Sequence, residues 1–280
     1  MKIAHIILAH ENPHQLDRLV ARLTHPDAYF FIHFDLKTGE QDLSSLLANP
    51  QVFVVKERIK VYWGGYSIVQ ATVNTICNAI ESGIPFDYIN LLSGQDYPLK
   101  STAYIHHFLE NNPGKAFMEF YPIATEWTEA IPRLEKYYLT DYPFKGSLQL
   151  AAVLNAILPK RKMPNQLVGM GRSQWFTIAM KHAQYVVDYL SNNTRIHNYF
   201  RFTWGSDEIV FQTILYNSMY RDDMVNNNLR YIDWSEKKPS PKLLTMNDKD
   251  ALTFSDKLFA RKFNSKKDGS ILDYLDSITA

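Results

Sequence analysis

Cysteine is almost missing: a single residue, Cys77, in a chain of 280 excludes an internal disulfide and any zinc site built on thiolates. Such a chain fits a reducing compartment, and the cytoplasm is the expected location. Charge of one sign is missing too, because 30 Lys and Arg stand against 29 Asp and Glu for a net charge of +1. That balance lacks the basic footprint of a general nucleic-acid binder, so no nucleic-acid partner is expected. No apolar run reaches the ~20 residues of a membrane span. The apolar start from Ile3 to Ala9 is interrupted by His5, ended by His10 and followed by no small-residue cleavage site, so it is not read as a signal peptide. No repeat, low-complexity tract or Gly/Ser-rich linker marks a boundary, and the whole chain, 1–280, reads as one domain.

Several catalytic signatures are absent as well. No Gly-x-Gly-x-x-Gly follows the first strand and no phosphate loop ends in Gly-Lys-Ser/Thr, which disfavours a dinucleotide oxidoreductase or a P-loop NTPase. There is no Gly-x-Ser-x-Gly elbow of an α/β hydrolase and no His-Glu-x-x-His metal site. Asp248-Lys249-Asp250 and Asp222-Asp223 do not follow apolar strands, and the strand ending His33-Phe34-Asp35 offers one carboxylate only. No bound cofactor is expected.

What remains is a 46% hydrophobic chain, long enough to bury a core without staples, with the 14% aromatic content that suits a protein laying rings against a ligand. Ile3–Ala9, Ala28–Phe34, Gln51–Val55 and Phe86–Leu92 are short apolar runs alternating with helical spacing from Asn12 and over Ser67–Ser82. Strand, helix, strand in repetition predicts an α/β domain with a mostly parallel central sheet flanked by helices. Ligands in such sheets sit at the carboxyl ends of the strands, where His10, Asp35 and Asp96 fall. Further on, the spacing predicts a strand at Ala116–Tyr121, a helix over Thr128–Tyr138, a strand at Trp175–Ala179, a helix from Lys181 to Leu190 and another from Ser206. Strand-like runs follow at Leu229–Ile232 and Leu258–Phe263. Pro143–Pro164 has no clear period, and its Lys160-Arg161-Lys162 reads as an exposed basic loop.

Five segments in order carry a resemblance: His33-Phe34-Asp35-Leu36-Lys37, Tyr62-Trp63-Gly64-Gly65, Tyr88 to Lys100, Trp204-Gly205-Ser206-Asp207-Glu208 and Leu258 to Phe263. Together they are similar to the core-2/I-branching N-acetylglucosaminyltransferases and peptide xylosyltransferases, glycosyltransferase family 14, over about residues 2–263, with 264–280 as a tail. The resemblance implies a GT-A-like domain and an inverting, metal-independent transfer from a UDP-sugar to an acceptor hydroxyl. It implies that Glu208 is the catalytic base and that Arg230 and Lys262 hold the diphosphate. Leu8 and Asp35 would line the uracil site, and Asp96 would touch the donor. The same residue types suit the chemistry: inversion needs one carboxylate to take the acceptor's proton and positive charge where the nucleotide leaves. Ser206 also reads as a helix cap, which would put Asp207 and Glu208 in a first helical turn.

The departures matter. The animal relatives carry an anchor, a stem and disulfides that are missing here, so a bacterial, cytoplasmic setting in surface polysaccharide or glycoconjugate synthesis is expected. Gln174 stands where the xylosyltransferases have an acceptor-binding acid, which leaves the acceptor open among glycan, glycolipid and peptide, and the donor sugar open between xylose and N-acetylglucosamine. A peripheral membrane contact through the basic cluster is also open. The alternative reading is a catalytically silent scaffold that binds a nucleotide sugar or glycan.

Overall fold

The computed structural model describes residues 1–279. Among the described residues ten strands form two sheets: β1 Ile3–Ala9, β2 Ala28–Phe34, β3 Val52–Val54, β4 Tyr88–Ser93, β5 Asp96–Pro98, β6 Ala116–Pro122, β7 Met170–Ala179, β8 Met224–Asn226, β9 Arg230–Ile232 and β10 Phe259–Arg261. The central sheet runs β3-β2-β1-β4-β7-β6-β8, and β5-β10-β9 make a smaller second sheet. The first four strands of the central sheet are parallel, β7 opposes both of its neighbours, and β8 runs parallel to β6.

Period-two alternation explains why these runs are apolar throughout. On β1, Ile3 and Ile7 pack with Leu16 and Leu19 of the helix Pro13–Leu23 on one face, joined by Leu272 and Leu275 of the helix Ser270–Ile278. Ala4 and Ile6 point to the other face, against Val69 and Ile76 of the helix Ser67–Glu81 and Val186 of the helix Met180–Asn192. The first helix starts as its sequence suggests, with Asn12 accepting from the Gln15 amide and Pro13 in the first turn. Both faces of the sheet are thus covered by helices, which leaves the strand ends as the open part of the sheet.

Four expectations change. The predicted helix over Thr128–Tyr138 shortens to a 3-10 turn at Thr128–Ala130 and a helix at Ile131–Glu135. Pro143–Pro164 contains a helix, Ser147–Ile157, that turns apolar side chains outward and so has no ordinary amphipathic period. Within the basic cluster, Arg161 is buried between Tyr137 and Tyr199 and donates to the carbonyls of Lys136, Tyr199 and Phe202. Ser206 caps nothing: its hydroxyl is buried without a partner, and Gly205, at φ +63, leads into a 3-10 turn over Ser206–Glu208 before the helix Val210–Tyr216.

Candidate active site

The carboxyl ends of β1, β2 and β4 meet at one edge of the sheet. Leu8 is half-buried near the end of β1, and its carbonyl accepts from the Gly94 amide. Asp35, just past β2, is nearly buried. Its carboxylate accepts from the amides of Lys37 (2.9 Å) and Val61 (3.2 Å), and the Lys37 ammonium lies 3.6 Å away. The turn after β4 brings in Asp96, which is fully buried and takes the Ser93 amide at 3.0 Å.

β10 then delivers two cations to this edge. Arg261 pairs in register with Asp96, and its Nε lies 3.6 Å from the Asp96 carboxylate. Its guanidinium lies flat on Trp175, 3.7 Å from the ring centre. That is close cation–π contact, and it holds the fork in one plane. Nε and Nη1 are buried yet make no hydrogen bond, so Arg261 has donors left to give. Lys262 follows, half-exposed, with its ammonium on the Ser240 hydroxyl. Burial and the neighbouring Arg261 charge lower its pKa.

Arg230 sits differently. It is 3% exposed, and β4 and β7 pair only as far as Asn90 and Thr177. Where those strands part, the Arg230 guanidinium takes the next carbonyls, Leu91 (2.9 Å) and Phe176 (3.0 Å). It also donates to Thr177 Oγ1, to Asn90 Oδ1 and to the Asn228 carbonyl. Asn90 bonds in turn to His5. Among the described residues no carboxylate bonds the guanidinium directly, and burial lowers the Arg230 pKa to about 9, with the Asp96 charge pulling the other way. Its donors close the interior rather than face a ligand.

The third part is the loop Trp204–Glu208. Glu208 accepts from Arg133 at 2.6 Å, and its Oε1 has no hydrogen-bond partner among the described residues. Arg133 is itself held between Trp204 and Trp127, 4.4 and 4.8 Å from their rings. A Cβ on Gly205 would come within 2.7 Å of the Arg133 guanidinium, so only glycine fits there. Trp63 packs edge-on against Trp204, and the Gly205 amide donates to the Gly64 carbonyl, which joins the Trp63-Gly64-Gly65 turn to this loop. Asp207 is buried; burial first, then the Glu208 charge, pushes its carboxyl up to about 7, while Arg133 and Arg261 pull the other way. Asp207 therefore feels both Glu208 and the two arginines.

Glu119 is a further carboxylate in reach. It lies where the β6–β7 register slips between Met118 and Phe120, a bulge that turns its side chain to Asn228 (3.1 Å) and Arg172 (3.9 Å). Burial raises its pKa, and Glu208 is among the charges it feels. Gln174 lies on the opposing strand, in the same irregular stretch.

Among the described residues no group of three His, Cys, Asp or Glu side chains converges as a metal ligand set. The Core-2/I-Branching enzyme model matches residues 3–256. The chain belongs to that family. Rat xylosyltransferase 1 is 25% identical over 243 residues, which is 85% of this chain and 28% of the relative. Human xylosyltransferase 2 is 25% identical over 304 residues, covering 99% of this chain and 33% of the relative. The chain thus spans about a third or less of these relatives' length. Mouse xyloside xylosyltransferase 1, apo form, superposes with a TM-score of 0.37 at 9% identity, covering 92% of this chain and 97% of that one.

Of the residues singled out in the sequence, Leu8, Asp35, Asp96 and Lys262 lie along one edge, Glu208 is held by Arg133 in the Trp204–Glu208 loop, and Arg230 is inside. Arg261 and Arg133 were missed. Arg261 is the immediate neighbour of Lys262 and could have been found from that dipeptide. For Arg133 no local signal exists, because its contact with Glu208 spans 75 positions.

Proposed function

We propose that this core-2/I-branching family member is an inverting glycosyltransferase that moves a sugar from a UDP-sugar to an acceptor hydroxyl. The observation that carries the reading is Glu208, held by Arg133 at 2.6 Å through one carboxylate oxygen with the other left without a partner among the described residues, in a loop whose buried Asp207 feels the charge of Arg261. In this reading the acceptor O–H gives its proton to Glu208 as its oxygen attacks the anomeric carbon. The bond from that carbon to the diphosphate breaks, and UDP leaves with the electron pair. Arg133 fixes the Glu208 carboxylate through Oε2 and leaves Oε1 to receive the proton.

The leaving diphosphate is received by Arg261 and Lys262, which takes Arg230 out of that role. Two facts support the exchange: Arg261 keeps Nε and Nη1 unpartnered, whereas Arg230 spends both of its Nη groups on the interior and leaves only Nε without a partner. A planar guanidinium fork can bind phosphate oxygens in pairs, and fixed cations stabilise charge that develops only as the bond breaks. Metal independence belongs to this reading and rests on those two cations. Asp96, closed to solvent, acts on the donor through Arg261 rather than by touching the sugar. Leu8 and Asp35 are proposed for the uracil end of the edge.

The test is UDP release from a panel of UDP-sugars offered with glycan, glycolipid and peptide acceptors, with and without excess EDTA. The reading expects acceptor-dependent release that EDTA leaves unchanged. A loss restored by a divalent ion would assign the leaving-group role to a metal. Binding of a UDP-sugar with no release under any acceptor would support the silent scaffold instead.

A further inference from the structure

The helix Ser147–Ile157 buries none of its residues. Leu148 is 81% exposed, Ile157 71% and Val153 54%, and Leu150, with Phe144 and Leu158 just outside the helix, is exposed too. At 100° per residue Leu148, Ala152, Ala156, Val153, Ile157 and Leu150 spread over about 200° of the helix, so the exposed apolar surface is broad rather than one narrow stripe. Single exposed apolar residues need no explanation, but six on one short helix and its two flanks mark a segment that binds something.

In sequence, the charges flanking the helix on either side are basic. The helix itself carries none. Lys145 precedes it and Lys160 and Lys162 follow it, all exposed, and the sequence has no Asp or Glu between Asp141 and Asp188. A Glu135 carboxylate, 2.6 Å from the Lys160 ammonium, is the one acid that offsets this group through an ion pair. An uncharged apolar face bracketed by lysines at both ends has the chemistry of a helix lying in a lipid interface, its apolar surface in the acyl boundary and its ammonium groups among anionic headgroups. No helix of the described residues is long and apolar enough to cross a membrane, so the contact is peripheral.

We propose that this helix and its flanking lysines dock the protein on a lipid surface bearing anionic headgroups. The helix is tied to the site. Asn155 accepts from the Tyr137 amide at 2.8 Å and donates to the Tyr137 carbonyl at 2.9 Å, four residues beyond the Arg133 that holds Glu208. Taken with the proposed glycosyl transfer, on which this consequence alone rests, docking presents the Glu208 side of the site to an acceptor carried by a lipid.

Co-sedimentation tests the docking. The full chain is mixed with vesicles of phosphatidylcholine and with vesicles of phosphatidylcholine and phosphatidylglycerol. Strong partition onto the mixed vesicles is expected, weakened by salt and weaker on phosphatidylcholine alone. The triple variant Leu148→Gln, Val153→Gln, Ile157→Gln should lower partition by about tenfold or more, because three large apolar contacts are lost. Lys145→Gln with Lys162→Gln should lower it on the mixed vesicles only. These side chains are exposed, so both variants should melt like the parent and keep its UDP-induced rise in melting temperature. The idea is overturned if the parent binds neither vesicle, or if the triple variant binds as well as the parent. It is also overturned if the triple variant instead converts a dimer to a monomer in solution, which would make a second copy the occupant. A failure of UDP release would leave the vesicle result standing, so the two proposals fail separately.

Discussion

Arg230 and Arg261 lie on neighbouring strands of the small sheet, yet they answer to different physics. Arg230 donates to main-chain carbonyls exposed where β4 and β7 part, and to Thr177 and Asn90 beside them. Removing it strands several buried acceptors, each worth about 1–3 kcal/mol when left unpaired. Arg230→Ala should therefore lose about 3 kcal/mol or more of stability in denaturant unfolding. Arg261→Lys, which keeps a cation beside the buried Asp96, should keep the fold and weaken UDP binding by about tenfold or more in calorimetry, since it takes the planar fork away from the edge. An Arg230→Ala protein that melts normally and loses UDP would return the diphosphate role to Arg230. The resemblance pointed to an arginine before Lys262 in the chain, and residue types alone cannot separate a buried network arginine from a ligand-facing one. Both are buried, and the number of hydrogen-bond partners separates them.

At the scale of elements, the strands β1, β2 and β4 were legible because continuous apolar runs between turn residues have few other uses. The helix after Asn12 was legible from its cap and its period. Three features were not. The Ser206–Glu208 turn is set by the left-handed conformation of Gly205, which no periodicity reports. The helix Ser147–Ile157 hides its nature by facing its apolar side outward. Residues 170–174 of β7 pair across a bulge, which breaks the strand period that Trp175–Ala179 keeps. Gly205 ties the first of these to chemistry. Gly205→Ala must adopt a positive φ and push a Cβ toward Arg133, so it should cost about 1 kcal/mol or more of stability. It should also lower turnover on the order of tenfold by displacing the Glu208 carboxylate. Unchanged kcat in a Gly205→Ala protein would show that the Arg133 contact does not position Glu208.

The whole molecule should be sensitive to acid. Burial, with His106 and Arg230 adding to it, holds His5 down to about 3, and burial with His25 holds His106 at about 4, against 6.5 for a free imidazole. Between those values the unfolded chain binds more protons than the folded one, so stability falls as pH drops from 6.5 toward 4. Asp207 opposes this. Its folded value of about 7 against 3.8 unfolded means its contribution fades as pH rises through that interval. Two histidines outweigh one aspartate, and the melting temperature should be lower near pH 5 than near pH 7; a higher one would show that the histidines are not held neutral. At this scale, too, the site comes together through contacts between distant parts of the chain, and its central claim is that Glu208 takes the acceptor's proton. The most direct measurement is Glu208→Gln, with turnover and UDP affinity read on the same preparation. The account predicts turnover lower by at least ~100-fold and UDP affinity nearly unchanged; turnover within a few-fold of the parent would contradict it.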